Sequence, residues 1–364
     1  MDQLTTEDRE LLLSQVNRLA DQALGPLPDG AEQPRSPQWQ QNWRDAAWQA
    51  GVLPCGGDPD ELMLWGPGLE GFSLDALRTV AARDASAALL LHRESAAWSL
   101  LLQHGPAAFQ PEPEQVPVLA LHGAAGPGRK ALAVWLRDGK LDDEDREEMQ
   151  TNLGPNAPRL LFAGSRGLVL LPVWKDEQLG WWQLPGSQTG ITPEHAHAFE
   201  ALEVTSLVPA DGKFLAPVKP TDLASLLLQE YLALLAIGAG LVDRALELAG
   251  EYAGQRRQGG RLIREWPAVR ELLADIRQAG DALDDALARY PAATTHTLAR
   301  TLRRHLSLSG EICRACNQCM QVFGGIGYTR ELAPERLVRE ANALRRMAGS
   351  PVLLTQFAAS LEDS

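Results

Sequence analysis

The stretch QVFGGIGYTREL, residues 321–332, places three glycines within four positions at the end of a long helical pattern. A glycine pair after a helix is a common C-terminal stop, because glycine readily adopts the left-handed backbone that ends it. Bare backbone also lets a ligand approach N–H groups, which bind phosphate oxygens. No strand is predicted before the stretch, so it is not the glycine fingerprint of a dinucleotide-binding βαβ unit. Two interpretations of the stretch therefore remain open, a helix C-terminus and a phosphate-binding loop.

Outward from this stretch, the hydrophobic pattern divides the chain into three parts. Residues 1–111 carry helical patterns, and Thr5 with Asp8 resembles a capping box before the first of them. Residues 112–217 hold short apolar runs between turn residues, which predict a β domain with strands such as VPVLALHG, KALAVWLRDGK and RLLFAGS. Residues 218–364 predict a four-helix domain, with helical patterns near 221–252, 266–289, 294–322, 334–347 and 351–361.

Composition and charge exclude several classes of partner. The formal net charge of −13 argues against broad binding to nucleic acid or to an anionic membrane, since both require a positive surface. The acidic, amphipathic N-terminus does not resemble a secretory signal. The most apolar window, 223–242, is interrupted by Gln229 and Glu230, which a membrane span should not carry near its middle. We therefore expect a cytoplasmic protein.

The run CRACNQC holds three cysteines, Cys313, Cys316 and Cys319, at a spacing that suggests an iron–sulfur or zinc site. A bacterial ferredoxin run needs a further cysteine where Phe323 stands. The three cysteines also continue an apolar stripe at helical spacing, and thiols on a single helix are poorly placed to surround one ion. We interpret them as core residues and predict no metal.

The run GQRRQGGRLIRE, 254–265, concentrates positive charge in an acidic chain, at a helix break marked by two glycines. Its four arginines are Arg256, Arg257, Arg261 and Arg264. Charge-assisted hydrogen bonds from these side chains would form an anion site. A solvated basic turn is the alternative.

Taken together, these segments resemble the acyl-CoA dehydrogenase family. QVFGGIGYTRE is similar to the family motif Q-x-F-G-G-x-G-Y-x-x-E, PERLVREA to E-R-x-x-R-D-A, and QRRQGGRLIREWPAVRELLADI to a third family segment. The resemblance is specific over about 221–350. It implies a mainly α fold with a helical N-terminal domain, a β-barrel-like middle domain and a C-terminal four-helix bundle, with FAD as cofactor.

The resemblance assigns cofactor-binding positions. Arg256 would pair with the FAD pyrophosphate, largely across a subunit interface, and the 321–332 stretch would lie along the dinucleotide. In MQTNLGP, which resembles W-x-T-N-G, Thr151 would touch the flavin ring. RRMAGSP aligns with the family's Y-E-G-T. The further cofactor-binding positions are therefore Gln321, Gly324, Gly325, Gly349 and Ser350.

Several positions depart from the family pattern. Gly259 and Pro267 replace two residues that contact FAD in relatives, and LHGAAGPGR, 121–129, lacks the hydroxyls of the β-domain motif T-E-P-x-x-G-S-D. The glutamate that acts as catalytic base in Y-E-G-T is Ala348, which cannot accept a proton. Some relatives place the base on the first helix of the C-terminal domain, and counting back from Arg256 reaches Glu230.

Helical spacing sets Glu230 beside leucine, alanine and isoleucine side chains, and apolar surroundings would raise the pKa of a carboxyl group. The alternative is that Glu230 and Gln229 mark a solvated helix edge. The resemblance implies α,β-dehydrogenation of an acyl-CoA or acyl-carrier thioester by a homodimer or homotetramer, with Glu230 as base. A non-catalytic structural or binding subunit, or a related flavin monooxygenase, remains an alternative because of the departures.

Overall fold

The N-terminal part of the chain is helical. The structure is a computed structural model and describes residues 5–24, 37–52, 64–104, 116–121, 130–163, 167–185, 192–194, 198–199 and 202–363. The predicted capping box is confirmed, since the backbone N–H of Asp8 donates to Oγ1 of Thr5 at 3.2 Å and that of Thr5 donates to Asp8 at 3.3 Å. The helices are α1 (Thr6–Leu24), α2 (Pro37–Gln49), α3 (Glu70–Ala81) and α4 (Ala85–His104).

The pattern across residues 73–104 forms two helices, α3 and α4, with a short turn between them. Asp84 begins the second helix, because its Oδ1 accepts a hydrogen bond from the backbone N–H of Ala87 at 2.9 Å. Nearly every side chain of α4 is buried, the polar ones included. A helix buried on all sides must satisfy its polar groups inside the protein, which makes its contacts informative.

The middle part contains two small sheets and two helices. The elements are β1 (Pro117–Leu119), α5 (Lys130–Asp138), α6 (Asp143–Leu153), β2 (Arg159–Ala163), β3 (Leu168–Lys175), β4 (Gln178–Pro185), β5 (Thr192–Glu194), β6 (Glu203–Leu207) and β7 (Lys213–Pro217). One sheet has the order β1-β3-β4-β7, with β1 parallel to β3 and the other pairs antiparallel, and the second has the order β2-β6-β5.

The prediction of a strand at KALAVWLRDGK is wrong, because this run is helix α5. Its apolar residues are continuous from Ala131 to Leu136, and such a run is compatible with either a buried strand or a helix. Alanine, leucine, lysine and arginine favour a helix, and Gly139, with a φ of 68°, follows its end. The part from 112 to 217 is therefore mixed. Domain boundaries at 111 and 217 stay a prediction.

The predicted C-terminal helices are confirmed to within a few residues. A 3-10 turn at Gly324–Tyr328 follows α9, and a hairpin of β8 (Arg257–Gln258) and β9 (Arg261–Leu262) follows α7. The helices are α7 (Pro220–Gln255), α8 (Pro267–Leu287), α9 (Thr295–Phe323), α10 (Ala333–Met347) and α11 (Pro351–Ser360). Proline or a capping threonine stands at the start of each, which explains why the beginnings were predictable.

Helix α7 is the central element, with 36 residues. Among the described residues it is the one helix long and apolar enough to cross a bilayer, but 89% of its apolar window is buried inside the protein. Cys313, Cys316 and Cys319 on α9 are also buried, as predicted for core residues. Burial raises the pKa of Cys316 well above its ordinary value and that of Cys319 to about 12, so these groups are thiols at neutral pH.

Candidate functional site

Glu230 lies near the middle of the first half of α7, and its side chain is 1% exposed. Two residues of α4 contact its carboxylate. Nε2 of His92 lies 2.8 Å from Oε2, and Nη1 of Arg93 donates to the same oxygen at 2.9 Å. Nη2 of Arg93 lies 2.8 Å from Oε1. Glu230 therefore forms a buried ion pair with α4.

Both sequence interpretations of the surroundings of Glu230 need correction. The interpretation of Gln229 and Glu230 as a solvated helix edge is wrong, because Gln229 is only 7% exposed and Glu230 only 1%. The prediction that only apolar side chains surround Glu230 is also wrong, although its helical neighbours Leu227 and Leu234 are buried as expected. A guanidinium within hydrogen-bonding distance favours the ionised form of a carboxylate, which opposes the effect of burial. Sequence periodicity describes one helix and cannot show what packs against it.

The His92 ring is neutral at physiological pH. Burial lowers its pKa below the ordinary value of 6.5, although the hydrogen bond to Glu230 acts in the opposite direction. The ring packs edge-on against Trp65, with ring centroids 5.5 Å apart. Nδ1 of His92 has no hydrogen-bond partner among the described residues. A neutral ring with its proton on Nε2 therefore donates to Oε2 of Glu230.

Two further titratable residues extend this polar region. Tyr231 follows Glu230 on α7 and is fully buried, with its ring 5.6 Å from that of His305 on α9. Burial raises the pKa of Tyr231 well above 10.0, and the charge of Glu230 adds to this effect, so its hydroxyl is neutral. We call His92, Arg93, Glu230, Tyr231 and His305 the Glu230 cluster.

The other end of α7 carries the predicted pyrophosphate residue. Arg256 directly follows the helix and is exposed. One turn before it, the Tyr252 ring stacks on Phe323 at the end of α9, with centroids 4.2 Å apart. This stack brings Arg256 and the glycine stretch to the same end of the four-helix domain. We call four residues the arginine–glycine end: the exposed Arg256, Gln321 and Gly325, and the half-buried Gly324.

The residues of this end fit an anionic cofactor. Gly324 has φ 68° and ψ −145°, a conformation that side chains disfavour, and it both ends α9 and leaves its backbone bare. No atom lies within 4 Å of where a Cβ would stand on Gly324 or Gly325, so space beside both backbones is open. Gln321 is exposed and donates to the Tyr328 hydroxyl. The glycine stretch is thus a helix end with accessible backbone.

The hairpin after Arg256 explains one departure from the family pattern. Gly259 has a φ of 59°, and a Cβ there would lie 3.2 Å from the Trp266 ring. The guanidinium of Arg261 lies 3.5 Å from the centroid of the same ring. Trp266 therefore fills part of the space beside the glycine, and Arg261 covers it. Arg257 and Arg264 are exposed, which leaves positive charge around Arg256.

The remaining predicted cofactor residues lie elsewhere. Thr151 lies on α6, and its hydroxyl donates to the backbone carbonyl of Glu147 at 2.9 Å. Ala348 is fully buried after α10, while Gly349 and Ser350, both half-buried, lead into α11. The roles of Thr151, Gly349 and Ser350 stay predictions. Of the predicted β-domain cofactor loop, 121–129, only Leu121 lies within the described residues.

Glu230 and Arg256 are far apart in one chain. They are separated by 26 residues of continuous helix, 256 − 230. At 1.5 Å per residue the separation is about 39 Å. The two residues therefore lie in separate regions of one chain.

Comparison with known proteins defines the class of protein. The sequence model of the acyl-CoA dehydrogenase C-terminal domain matches residues 223–360. An acyl-CoA dehydrogenase of Bacillus subtilis (strain 168) is 29% identical over 116 residues, and this alignment covers 30% of each chain. The alignment therefore spans less than a third of that relative's length.

The fold extends the likeness to the whole chain. The structure of butyryl-CoA dehydrogenase from Megasphaera elsdenii superposes with a TM-score of 0.68 and 17% identity, covering 99% of both chains. A prolyl acyl carrier protein oxidase superposes with a TM-score of 0.72 and 16% identity, covering 98% of this chain and 99% of the other. The molecule thus has an acyl-CoA dehydrogenase fold. Within that fold, residues 223–360 also match the sequence of the family's C-terminal domain.

His92 and Arg93 were missed by the sequence analysis. A signal was present, because HRES at 92–95 interrupts an apolar helical pattern with four consecutive polar residues. Such a run covers more than one face of a helix, so at least one polar side chain must point into the core. The neighbouring residue Glu94 is also buried, and it accepts a hydrogen bond from Nε of Arg44 at 2.6 Å.

Proposed function

We propose that this chain is an FAD-dependent enzyme that removes hydrogens from the α and β carbons of an acyl thioester. The observation that carries the proposal is the buried, ion-paired carboxylate of Glu230 on the first helix of an acyl-CoA dehydrogenase C-terminal domain. A carboxylate held in its ionised form is able to accept a proton. Ala348, at the usual position of the base, has no such group.

In this proposal the reaction uses Glu230 as base. Its carboxylate takes the proton from the α-carbon, and the electron pair left on that carbon forms the new carbon–carbon double bond. FAD, when bound, supplies the acceptor for the hydride that leaves the β-carbon. The Glu230 cluster excludes water, because its side chains are buried, and a dry site strengthens electrostatic interactions with the substrate.

The arginine–glycine end would hold the anionic part of the cofactor. Arg256 would donate charge-assisted hydrogen bonds to the pyrophosphate, and the exposed backbone at Gly324 and Gly325 would approach the dinucleotide. Because about 39 Å of helix separates Glu230 from Arg256, Arg256 would serve the cofactor of a second copy. A homodimer, or a homotetramer built from dimers, follows from this assignment, and a twofold arrangement is the usual one. The predicted cytoplasmic location agrees with such a protein.

The thioester handle is either coenzyme A or an acyl carrier protein. Relatives are named for each, a butyryl-CoA dehydrogenase and a prolyl acyl carrier protein oxidase among them. A panel of both thioester types, supplied to the purified protein, would distinguish the two handles. The same panel of thioesters, varied in the acyl group, would identify the acyl group that the protein accepts.

The test is reconstitution with FAD, followed by anaerobic mixing with the thioester panel. We expect a flavin absorption spectrum that bleaches with at least one thioester, together with an α,β-unsaturated product. A protein that takes up no FAD would be a structural or binding subunit, which the departures at Ala348 and Gly259 otherwise favour. A protein that binds FAD and hydroxylates a substrate only with oxygen and reduced flavin would be a monooxygenase. Either outcome refutes the proposal.

A further inference from the structure

Two residues that contact Glu230 lie outside the part of the chain that the family sequence model matches, 223–360. His92 and Arg93 are adjacent in α4, and both side chains are buried. Oε2 of Glu230 lies within hydrogen-bonding distance of both, 2.8 Å from Nε2 of His92 and 2.9 Å from Nη1 of Arg93. A pair of neighbouring side chains thus holds one carboxylate across 138 residues of sequence.

We propose that His92 and Arg93 are positioning residues that keep the carboxylate of Glu230 ionised and fixed in orientation for proton abstraction. This inference rests on the proposed function and adds two residues to it. Neither residue is assigned contact with substrate or cofactor. Both act through Glu230.

Arg93 supplies the charge that burial would otherwise oppose. An isolated buried carboxylate is costly and becomes protonated instead, after which it cannot act as a base. The two terminal nitrogens of Arg93 lie 2.9 and 2.8 Å from the two oxygens of Glu230. The hydrogen bond to Oε2 and the close ionic contact at Oε1 together stabilise the charge of the carboxylate.

His92 supplies orientation without a second positive charge. Burial lowers its pKa, so the ring is neutral, and it donates through Nε2 to Oε2. A protonated ring beside Arg93 would weaken Glu230 as a base by stabilising its anion further. Two more titratable groups adjoin the carboxylate, Tyr231 on its own helix and His305 on α9 behind Tyr231. Tyr231 is neutral because burial raises its pKa.

Infrared spectroscopy of the FAD-reconstituted protein tests the charge of Glu230 without activity. The spectrum of Glu230→Gln, subtracted from that of the parent, identifies bands of the Glu230 side chain. We expect an ionised carboxylate in the parent at pH 7. In Arg93→Gln, a carboxylic-acid band of Glu230, assigned by the same subtraction, should appear at pH 7. The reason is that removing a cation at this distance moves the protonation midpoint of the Glu230 carboxylate upward by roughly one to three pH units. Arg93→Lys should keep the ionised form.

The matched control is Arg44→Gln. It breaks another arginine–glutamate contact of α4, in which the half-buried Arg44 donates to the buried Glu94 at 2.6 Å. The control therefore carries the same chemical change and a comparable disturbance of α4, but Glu230 is not its partner. We expect no change in the Glu230 bands. A carboxylic-acid band at Glu230 in this control as well would show that general loosening is the cause, and would overturn the inference.

The pH profile of flavin reduction gives the second measurement. In Arg93→Gln the rising limb should move to higher pH, so that a large rate deficit near pH 7 shrinks toward pH 9. His92→Gln should lower the maximum rate with little effect on substrate KM, since the lost hydrogen bond orients the base. A structural role alone would lower the rate equally at every pH, which would contradict the proposal.

The two proposals fail separately. If no thioester reduces the flavin, the proposed function fails, while a carboxylic-acid band in Arg93→Gln still supports control of Glu230 by Arg93. If the parent reduces flavin and Arg93→Gln leaves Glu230 ionised at pH 7, the positioning inference fails and the function stands. Should Arg93→Gln not fold, His92→Gln carries the rate measurement. An unchanged maximum rate in His92→Gln would then overturn the inference.

Discussion

The two functional regions of α7 differ in how complete they are. Near Glu230 the helix is buried, and its charged side chain already has partners from α4. At the arginine–glycine end the charged side chain is exposed, and the glycine backbone beside it faces open space. The first region is assembled within one chain, whereas the second presents its polar groups to solvent, where a ligand or a second copy of the chain can bind. Mutations in the first should therefore affect folding and chemistry, and mutations of the exposed side chains in the second should affect binding alone.

The largest expected effect is on catalysis by Glu230→Gln, which keeps size and polarity but removes the basic oxygen. Positioned acid–base groups contribute roughly 100- to 10,000-fold, so flavin reduction by substrate should slow by about that factor. Substrate binding should change far less, since the group acts mainly in the transition state. Stopped-flow absorbance under anaerobic conditions measures the rate. An unchanged rate would show that Glu230 is a structural residue, and the region around it would then not be a catalytic one.

Arg93→Gln should have the next largest effect, on the free energy of unfolding. Removing one partner of a buried ion pair typically costs about 3–5 kcal/mol, because the other partner stays buried without its counterion. Arg256→Gln is the matched change at the other end, and we expect it to alter unfolding by less than about 0.5 kcal/mol, as surface substitutions do. Urea unfolding followed by circular dichroism measures both. Equal effects would mean that the two regions are not organised differently.

The sequence predicted the second region better than the first. The glycine stretch and the arginine run are local patterns, so their positions at helix ends followed from the 3.6-residue period and from glycine conformation. The partners of Glu230 depend on the packing of α4 against α7, elements 138 residues apart in sequence at the His92 contact. Periodicity predicted helices in both segments but not which polar side chains meet. The wrong strand at α5 has a related cause, because a continuous apolar run is compatible with either structure.

Arg256→Ala should weaken FAD binding while leaving the apoprotein folded. A hydrogen bond to a charged group contributes about 1.5–3 kcal/mol, which corresponds to roughly a 10- to 150-fold loss of affinity. Arg264→Ala is the control, since it removes a similar exposed charge nearby from a position to which we assign no cofactor contact. Titration of apoprotein with FAD, followed by flavin fluorescence, gives the affinities. Equal losses in both variants would indicate a diffuse positive surface instead of a specific pyrophosphate contact.

Gly324→Ala and Gly325→Ala separate backbone strain from ligand access. Gly324 has a φ of 68°, so alanine there should destabilise the protein by about 1–3 kcal/mol, although no atom obstructs the new methyl group. Gly325 has neither a positive φ nor an obstructing atom, so its alanine variant should unfold almost as the parent does. If Gly325 nevertheless lies along the cofactor, this variant should bind FAD more weakly. Normal FAD affinity in Gly325→Ala would remove Gly325 from the site.

The smallest expected effect is the pH dependence that His92 adds to stability. Its folded-state pKa lies below 6.5, its ordinary value in the unfolded chain, because burial disfavours the charged ring. Between the two values the unfolded chain binds a proton that the folded chain does not, so the free energy of unfolding falls as the pH drops below about 6.5. One group contributes at most about 1.4 kcal/mol per pH unit, and nothing above pH 7.5.

His92→Gln removes this titration, so its unfolding free energy should depend less steeply on pH between about 6.5 and 5 than that of the parent. The comparison is made on the slope, since the substitution also changes stability at pH 8 by a constant amount. A parent slope that survives His92→Gln would mean that the folded and unfolded chains bind a proton at His92 to the same extent. Burial would then not lower the pKa of the ring, and the neutral donor that we assign to Glu230 would lose its support.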